Sequence, residues 1–278
     1  MNLPRPASLR RRRLAAVLKY VLQLTKEGRY EEAEAEARAC EAGARRLRRR
    51  ASRLAVTWHA KAMATTLACA HGRGTEVLAE MEALIQELSG RTGSGRTLPL
   101  LVRCNRTSVL NSQGRHAEVE VEARDLLREV ARLKHLTSVW KLELCVLDNL
   151  VDALCGLGRH EEAEAIARGN LPRAEGPTAA ALHCGLVRSL NGQGRHGEAL
   201  TEARRFTPEW DRALSGNLDL VTATALLGLG HRSEAEAAAR RALADCEGHL
   251  HPAHPRLGEV RTLLERISAD VPGGGTPQ

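Results

Sequence analysis

The sequence has few aromatic residues. Phe, Trp and Tyr make up 2% of its 278 residues, with three Trp, two Tyr and one Phe. Sheets that pack face to face rely on aromatic and β-branched side chains, so this shortage argues against a β-sandwich or barrel. Lysine is scarce too, five residues against 36 arginines, a bias that GC-rich codon usage produces. Paired cysteines are missing. The seven cysteines (40, 69, 104, 145, 155, 184 and 246) stand singly, in odd number and with no CxxC. That excludes a disulfide framework and a thiolate zinc cluster, and it fits reduced thiols in the cytoplasm. Long apolar runs are also absent. Mean hydropathy is -0.31, 27% of residues are charged, and no stretch could span a bilayer. Arg10 to Arg13 followed by Leu14 to Leu24 superficially resembles an export signal, but Lys19 interrupts the apolar stretch and no small-residue cleavage site follows.

What remains is rich in Ala, Leu, Glu and Arg, the strong helix formers, which points to an all-α protein. Charge is unevenly spread. The first 60 residues carry +9 and the rest -2, within a net +7. Arg10 to Arg13 and the cluster Arg45, Arg46, Arg48, Arg49, Arg50 and Arg53 supply the excess. Such a patch can attract a polyanion, including nucleic acid.

A repeat dominates the chain. Six segments recur: Gly28-Arg-Tyr-Glu-Glu-Ala, Gly72-Arg-Gly-Thr-Glu-Val, Gly114-Arg-His-Ala-Glu-Val, Gly158-Arg-His-Glu-Glu-Ala, Gly194-Arg-His-Gly-Glu-Ala and Gly230-His-Arg-Ser-Glu-Ala. Their glycines are spaced by 44, 42, 44, 36 and 36 residues. Each follows an apolar helical stretch and precedes an Ala-rich one. Glycine tolerates the left-handed backbone that ends a helix. The glutamates after it suit the positive end of the next helix dipole. A small residue (Ala33, Ala163, Ala199 or Ala235) lets the two helices approach closely. One such hairpin cannot bury its own apolar face, so copies must stack.

These features resemble the tetratricopeptide repeat family, over residues 9 to 267. The resemblance rests on the turn glycine, an aromatic or His two residues on (Tyr30, His116, His160, His196), the Ala three further, and an apolar residue four before the glycine. The long spacings and the segment His251-Pro-Ala-His-Pro-Arg-Leu257 are similar to the bacterial kinesin-light-chain type. The family's Trp is absent; Val17, Lys61, Arg103, Leu147, His183 and Asp219 stand at its position. The implied fold is a right-handed α-solenoid of about six helical hairpins plus a C-terminal capping helix. It would occupy residues 9–268, between a flexible tail at 1–8 and a disordered tail at 269–278.

Other constellations are weaker. Gly90-Arg-Thr-Gly-Ser-Gly-Arg-Thr97 approaches a phosphate-binding loop, but Arg96 stands where lysine is needed and the segment before it is helical by pattern. His249, His251 and His254, with Cys246, are close enough to suggest a metal, yet they fall on the Pro-containing entry to the last helix. No nucleophile, base and orienting group can be assembled, so neither an enzyme, a cofactor nor a metal is expected.

The resemblance implies that first helices line a concave face. Aligned on the turn glycine, Asn105 and Asn149 share one position, Ser108, Asp152 and Arg188 a second, and Asn111 and Asn191 a third. Lys19, Lys26 and Asp148 add charge to the same helices. An asparagine amide both donates and accepts, so it can hold both backbone groups of an extended peptide. The expectation is a cytoplasmic adaptor that binds a protein or peptide segment, without membrane contact. The alternative is a nucleic-acid-associated regulator acting through the N-terminal arginines.

Overall fold

A computed structural model describes residues 6–44, 50–90, 97–133, 139–207 and 211–269, without the side chains of 6–15 and 50–54. Among these residues there are thirteen α-helices and no strand. The helices run along the chain as six consecutive pairs: α1 (Pro6–Lys26) and α2 (Tyr30–Ala44), α3 (Arg50–His71) and α4 (Gly74–Leu88), and α5 (Thr97–Ser112) and α6 (His116–Ala131). Then come α7 (Val139–Gly156) with α8 (His160–Asn170), α9 (Gly176–Gly192) with α10 (His196–Arg205), and α11 (Asn217–Gly228) with α12 (Arg232–His249). A single helix, α13 (Pro255–Ala269), follows. The first helix begins at Pro6, inside the expected tail, while residues 1–5 and 270–278 lie outside the described residues. A 3-10 turn, Leu171–Arg173, lies between α8 and α9.

The recurring glycine ends each first helix. Gly28, Gly72, Gly114, Gly158, Gly194 and Gly230 all have φ between 72° and 96°. The next residue then donates its N–H to the carbonyl of the apolar residue four before the glycine: Arg29 to Leu24, Arg73 to Ala68, Arg115 to Leu110, Arg159 to Leu154, Arg195 to Leu190 and His231 to Leu226. This is the six-to-one hydrogen bond of a left-handed helix stop. It explains why both positions recur. On the facing helix, Ala33, Ala163, Ala199 and Ala235 are completely buried.

The chain divides into two compact units, Met1–Val109 and Leu110–Gln278. In the first, Trp58, Met81, Leu84, Leu88 and Val102 form part of an apolar core. The Trp58 Nε1–H donates to Glu87 at 3.0 Å, so its polar edge is not left dry. In the second unit, α7, α9, α11 and α13 lie beside one another in that order, and the second helices α6, α8, α10 and α12 each pack on the next first helix.

A seam of histidines joins successive hairpins of the second unit. The rings of His116, His160 and His196 lie over Gly156, Gly192 and Gly228, so close that a Cβ there would sit 2.3–2.4 Å from ring atoms. No other residue fits under these rings undisturbed. Asn111 ties one seam: its amide donates to the Asn149 carbonyl at 2.8 Å, and its oxygen meets His116 Nδ1 at 3.2 Å. Asn191 repeats this with the Val221 carbonyl at 2.9 Å and His196 Nδ1 at 3.2 Å. Cys155 occupies the equivalent place in the middle seam, and there His160 Nδ1 is buried without a hydrogen-bond partner.

Candidate ligand-binding face

The first helices of the second unit carry a cluster of charges. Asp148 and Asp152 are one turn apart on α7. Arg188 projects from α9, and Arg256 and Glu259 from the first turns of α13. Arg188 Nη1 lies 3.3 Å from Glu259, and its Nε lies 3.9 Å from Asp152. Helices α9 and α13 both flank α11, yet their side chains meet across it. The layer of first helices therefore curls inward at this point and forms a hollow. Thr224 stands on α11 at the position that Asp152 and Arg188 occupy on their helices, and its short side chain hydrogen-bonds to the Leu220 carbonyl at 3.0 Å.

The hollow is wet but crowded. Asp152 keeps 46% of its side-chain surface open to water and Arg188 37%, while protein atoms surround both. Burial raises the pKa of Asp148 well above the ordinary range, the neighbouring Asp152 raises it further, and Arg188 opposes the rise. Asp152 is raised for the same first reason, with Arg188 opposing and Glu259 adding to it. Burial works against the charge of Arg188, but Asp152 and Glu259 outweigh it. Arg256 is lowered by burial and is held by the carbonyls of Ala213 and Ser215 at 3.0 and 2.8 Å. Cys184 lines the same region, its thiol pushed up to about 12 by burial, which makes it a poor nucleophile.

Two groups in this cluster lack hydrogen-bond partners among the described residues. Among the described residues no hydrogen bond or ion pair reaches Asp148, and Arg188 Nε is buried without an acceptor. Folded proteins pair crowded charges because an unpaired one costs stability. Unpaired charges of this kind concentrate at binding and catalytic sites.

The sequence-derived site residues divide. Asp152 and Arg188 face the hollow. Asn111 and Asn191 lie at the seam, where one N–H and the oxygen of each amide are engaged. Asn191 and Asn149 are each only 9% exposed, and the Asn149 carbonyl belongs to the first seam. Asn105 and Ser108 belong to the first unit. The Asn105 amide donates to Thr66 Oγ1 at 2.6 Å, and Ser108 is exposed. Arg45, Arg46, Arg48 and Arg49 lie outside the described residues, as do the side chains of Arg50 and Arg53. Residues 91–96 of the phosphate-loop-like segment lie outside them as well. Arg256 and Glu259 were missed by the alignment of repeats, since α13 has no turn glycine to align on. The spacing of Asp148 and Asp152, four apart on a first helix, was the available signal for the acidic pair.

Other features are structural or absent. All seven cysteines are free thiols; Cys104, Cys184 and Cys246 are buried, and Cys145 is exposed. Among the described residues no group of His, Cys, Asp and Glu is arranged to hold a metal ion, and no helix is long and apolar enough to cross a membrane.

No family model matches the chain, and no curated protein matches it. A solved structure described as a Rap protein complexed with Competence and Sporulation Factor matches with a TM-score of 0.63 at 14% identity, over 92% of this chain and 71% of that one. The likeness is one of fold: this chain is an all-α helical-repeat solenoid.

Proposed function

We propose that the first helices of the second unit bind an extended segment of a protein or peptide partner, and that the segment presents a basic residue to Asp148 and Asp152. The observation that carries this reading is Asp148. It is a crowded carboxylate beside a second carboxylate, without a hydrogen-bonding partner among the described residues. A guanidinium or ammonium group would relieve both aspartates, and Arg188 Nε would take a carbonyl of the same segment. The solved solenoid of similar fold was captured as a complex with Competence and Sporulation Factor, which supports a segment as the ligand. The chain is then a binding protein of the cytoplasm rather than a catalyst, built on tetratricopeptide-like repeats whose long spacings suit the kinesin-light-chain type. Nothing on this face favours nucleic acid.

An array of random peptides probed with the full chain tests the proposal. Bound sequences are expected to share an Arg or Lys, and the Asp148→Asn, Asp152→Asn double variant is expected to bind them about tenfold or more weakly without a fall in thermal stability. Equal binding by the double variant would sink the assignment.

A further inference from the structure

We propose that Arg188 relays occupancy of the acidic pair to the terminal helix, so that α13 is held more firmly when a cation sits on Asp148 and Asp152. The inference rests on the reading of the hollow as a binding face and adds a regulated element to it.

The argument starts from how α13 is held. Its first turn is fixed by Arg256, whose guanidinium grips the carbonyls of Ala213 and Ser215 ahead of α11. One turn later, Glu259 ties it to α9 by accepting from Arg188 Nη1 at 3.3 Å. This distance is long for a charged hydrogen bond. The reason is visible on the other side of the guanidinium, where Asp152 stands 3.9 Å from Nε, too far for a hydrogen bond but close enough to attract. Arg188 is therefore shared between α7 and α13 and settled on neither. A cation docked against Asp148 and Asp152 cancels the pull from α7 and repels Arg188. The side chain then turns wholly to Glu259 and closes that contact. Apolar packing of Leu257, Val260, Leu263 and Ile267, all buried, keeps α13 seated in both states. The change is thus in how firmly the helix is held, and it needs no relocation.

Amide hydrogen exchange along α13 reads the relay in the full chain. Asp152→Asn removes the pull of α7 on Arg188, and exchange of the Val260–Ile267 amides is expected to slow about two- to fivefold, the range that one surface ion pair gains. Glu259→Gln should speed it by a similar factor, and the Asp152→Asn change should then have no further effect. Unchanged or faster exchange in Asp152→Asn, or the same response with and without Glu259, would overturn the relay. N-acetylarginine methylamide supplies a second arm. Its binding, followed by NMR shifts of α7 amides, should slow exchange in α13 of the wild type and leave Glu259→Gln unaffected. Binding without any response in α13 also overturns the relay. If the probe does not bind while Asp152→Asn still tightens α13, the relay stands and the peptide reading of the hollow is what fails.

Discussion

The two faces of the second unit handle charge in opposite ways. On the outside, two of the arginines that follow turn glycines, Arg159 and Arg195, join a lattice. Arg159 pairs with Glu162 in its own hairpin and with Glu120 of the hairpin before, at 2.6 Å for the latter. Arg124 meets Glu162 at 2.5 Å and Glu120 at 3.0 Å, which closes a ring of four. Arg195 likewise pairs with Glu198 at 2.6 Å and with Glu164 at 2.5 Å. The first unit shows the same device, with Arg73 bridging Glu76 and Glu34. On the inside of the second unit, Asp148 has no hydrogen bond or ion pair among the described residues, and the partners of Arg188 are loose. The outer charges are mutually satisfied, with Arg124, Arg159 and Arg195 each meeting two carboxylates. The inner charges are crowded and incompletely paired. Such an arrangement persists when function requires it, because stability alone selects against it.

The contrast can be broken first at the seam between the two faces. Gly192→Ala would drive a Cβ to 2.3 Å from His160 Cε1, and the ring must leave its place. We expect a loss of about 1–3 kcal/mol in denaturant unfolding. Cys155→Asn works in the opposite direction. It supplies the middle seam with the amide that its neighbours have, gives His160 Nδ1 an acceptor, and should add about 1 kcal/mol by the same measurement.

Asp148→Asn tests the inner face. The fold raises the pKa of this carboxyl, so it favours the protonated form. The stability the group contributes is full at low pH and is lost as pH rises through the raised value. Asparagine imitates the protonated acid. The variant should therefore melt higher than the wild type at neutral pH, by roughly 2–4 °C, and the advantage should vanish on acidification toward the ordinary aspartate pKa of about 3.9. An equal advantage at all pH values would remove the claim of a destabilising inner charge. The smallest effect belongs to the outer face. Hydrogen bonds from Arg159 and Arg124 lower the pKa of Glu120 and of Glu162, so these pairs contribute above the usual carboxylate range and are lost as pH falls below it. Arg159→Gln should change the melting temperature only slightly, and added salt should erase the difference.

The hairpins were legible because their signals are local. A glycine, the residue that closes its six-to-one hydrogen bond, and a buried alanine all lie within a few positions of one another. The histidine two after the glycine could be read as a packing group, but its target could not. Gly156 is 40 residues from His116 and Gly192 is 32 from His160, and nothing local links them. The seam contacts of Asn111 and Asn191 were hidden for a related reason. Repeat alignment shows which residues share a row on successive helices, yet neighbouring rows differ by only a fraction of a turn. The row three before the glycine, with Asn111 and Asn191, faces the next hairpin. The row six before it, with Asp152 and Arg188, faces the hollow. The lattice of turn arginines also escaped notice, since a basic composition hides which arginines have partners. Charge counting alone had directed attention to the N-terminal cluster.

The histidine seam gives the chain a direction. The α9–α10 hairpin accepts a ring at Gly192 on one side and offers His196 on the other. It is a press stud with a socket and a pin. A tandem copy of that segment in the gene would snap in with both fasteners matched, whereas a reversed or shifted copy would not. The α11–α12 hairpin has the socket, Gly228, but Arg232 in place of the pin. Growth of the array by duplication is therefore open in its middle and shut at this hairpin, which lets such a protein change length without redesigning its end.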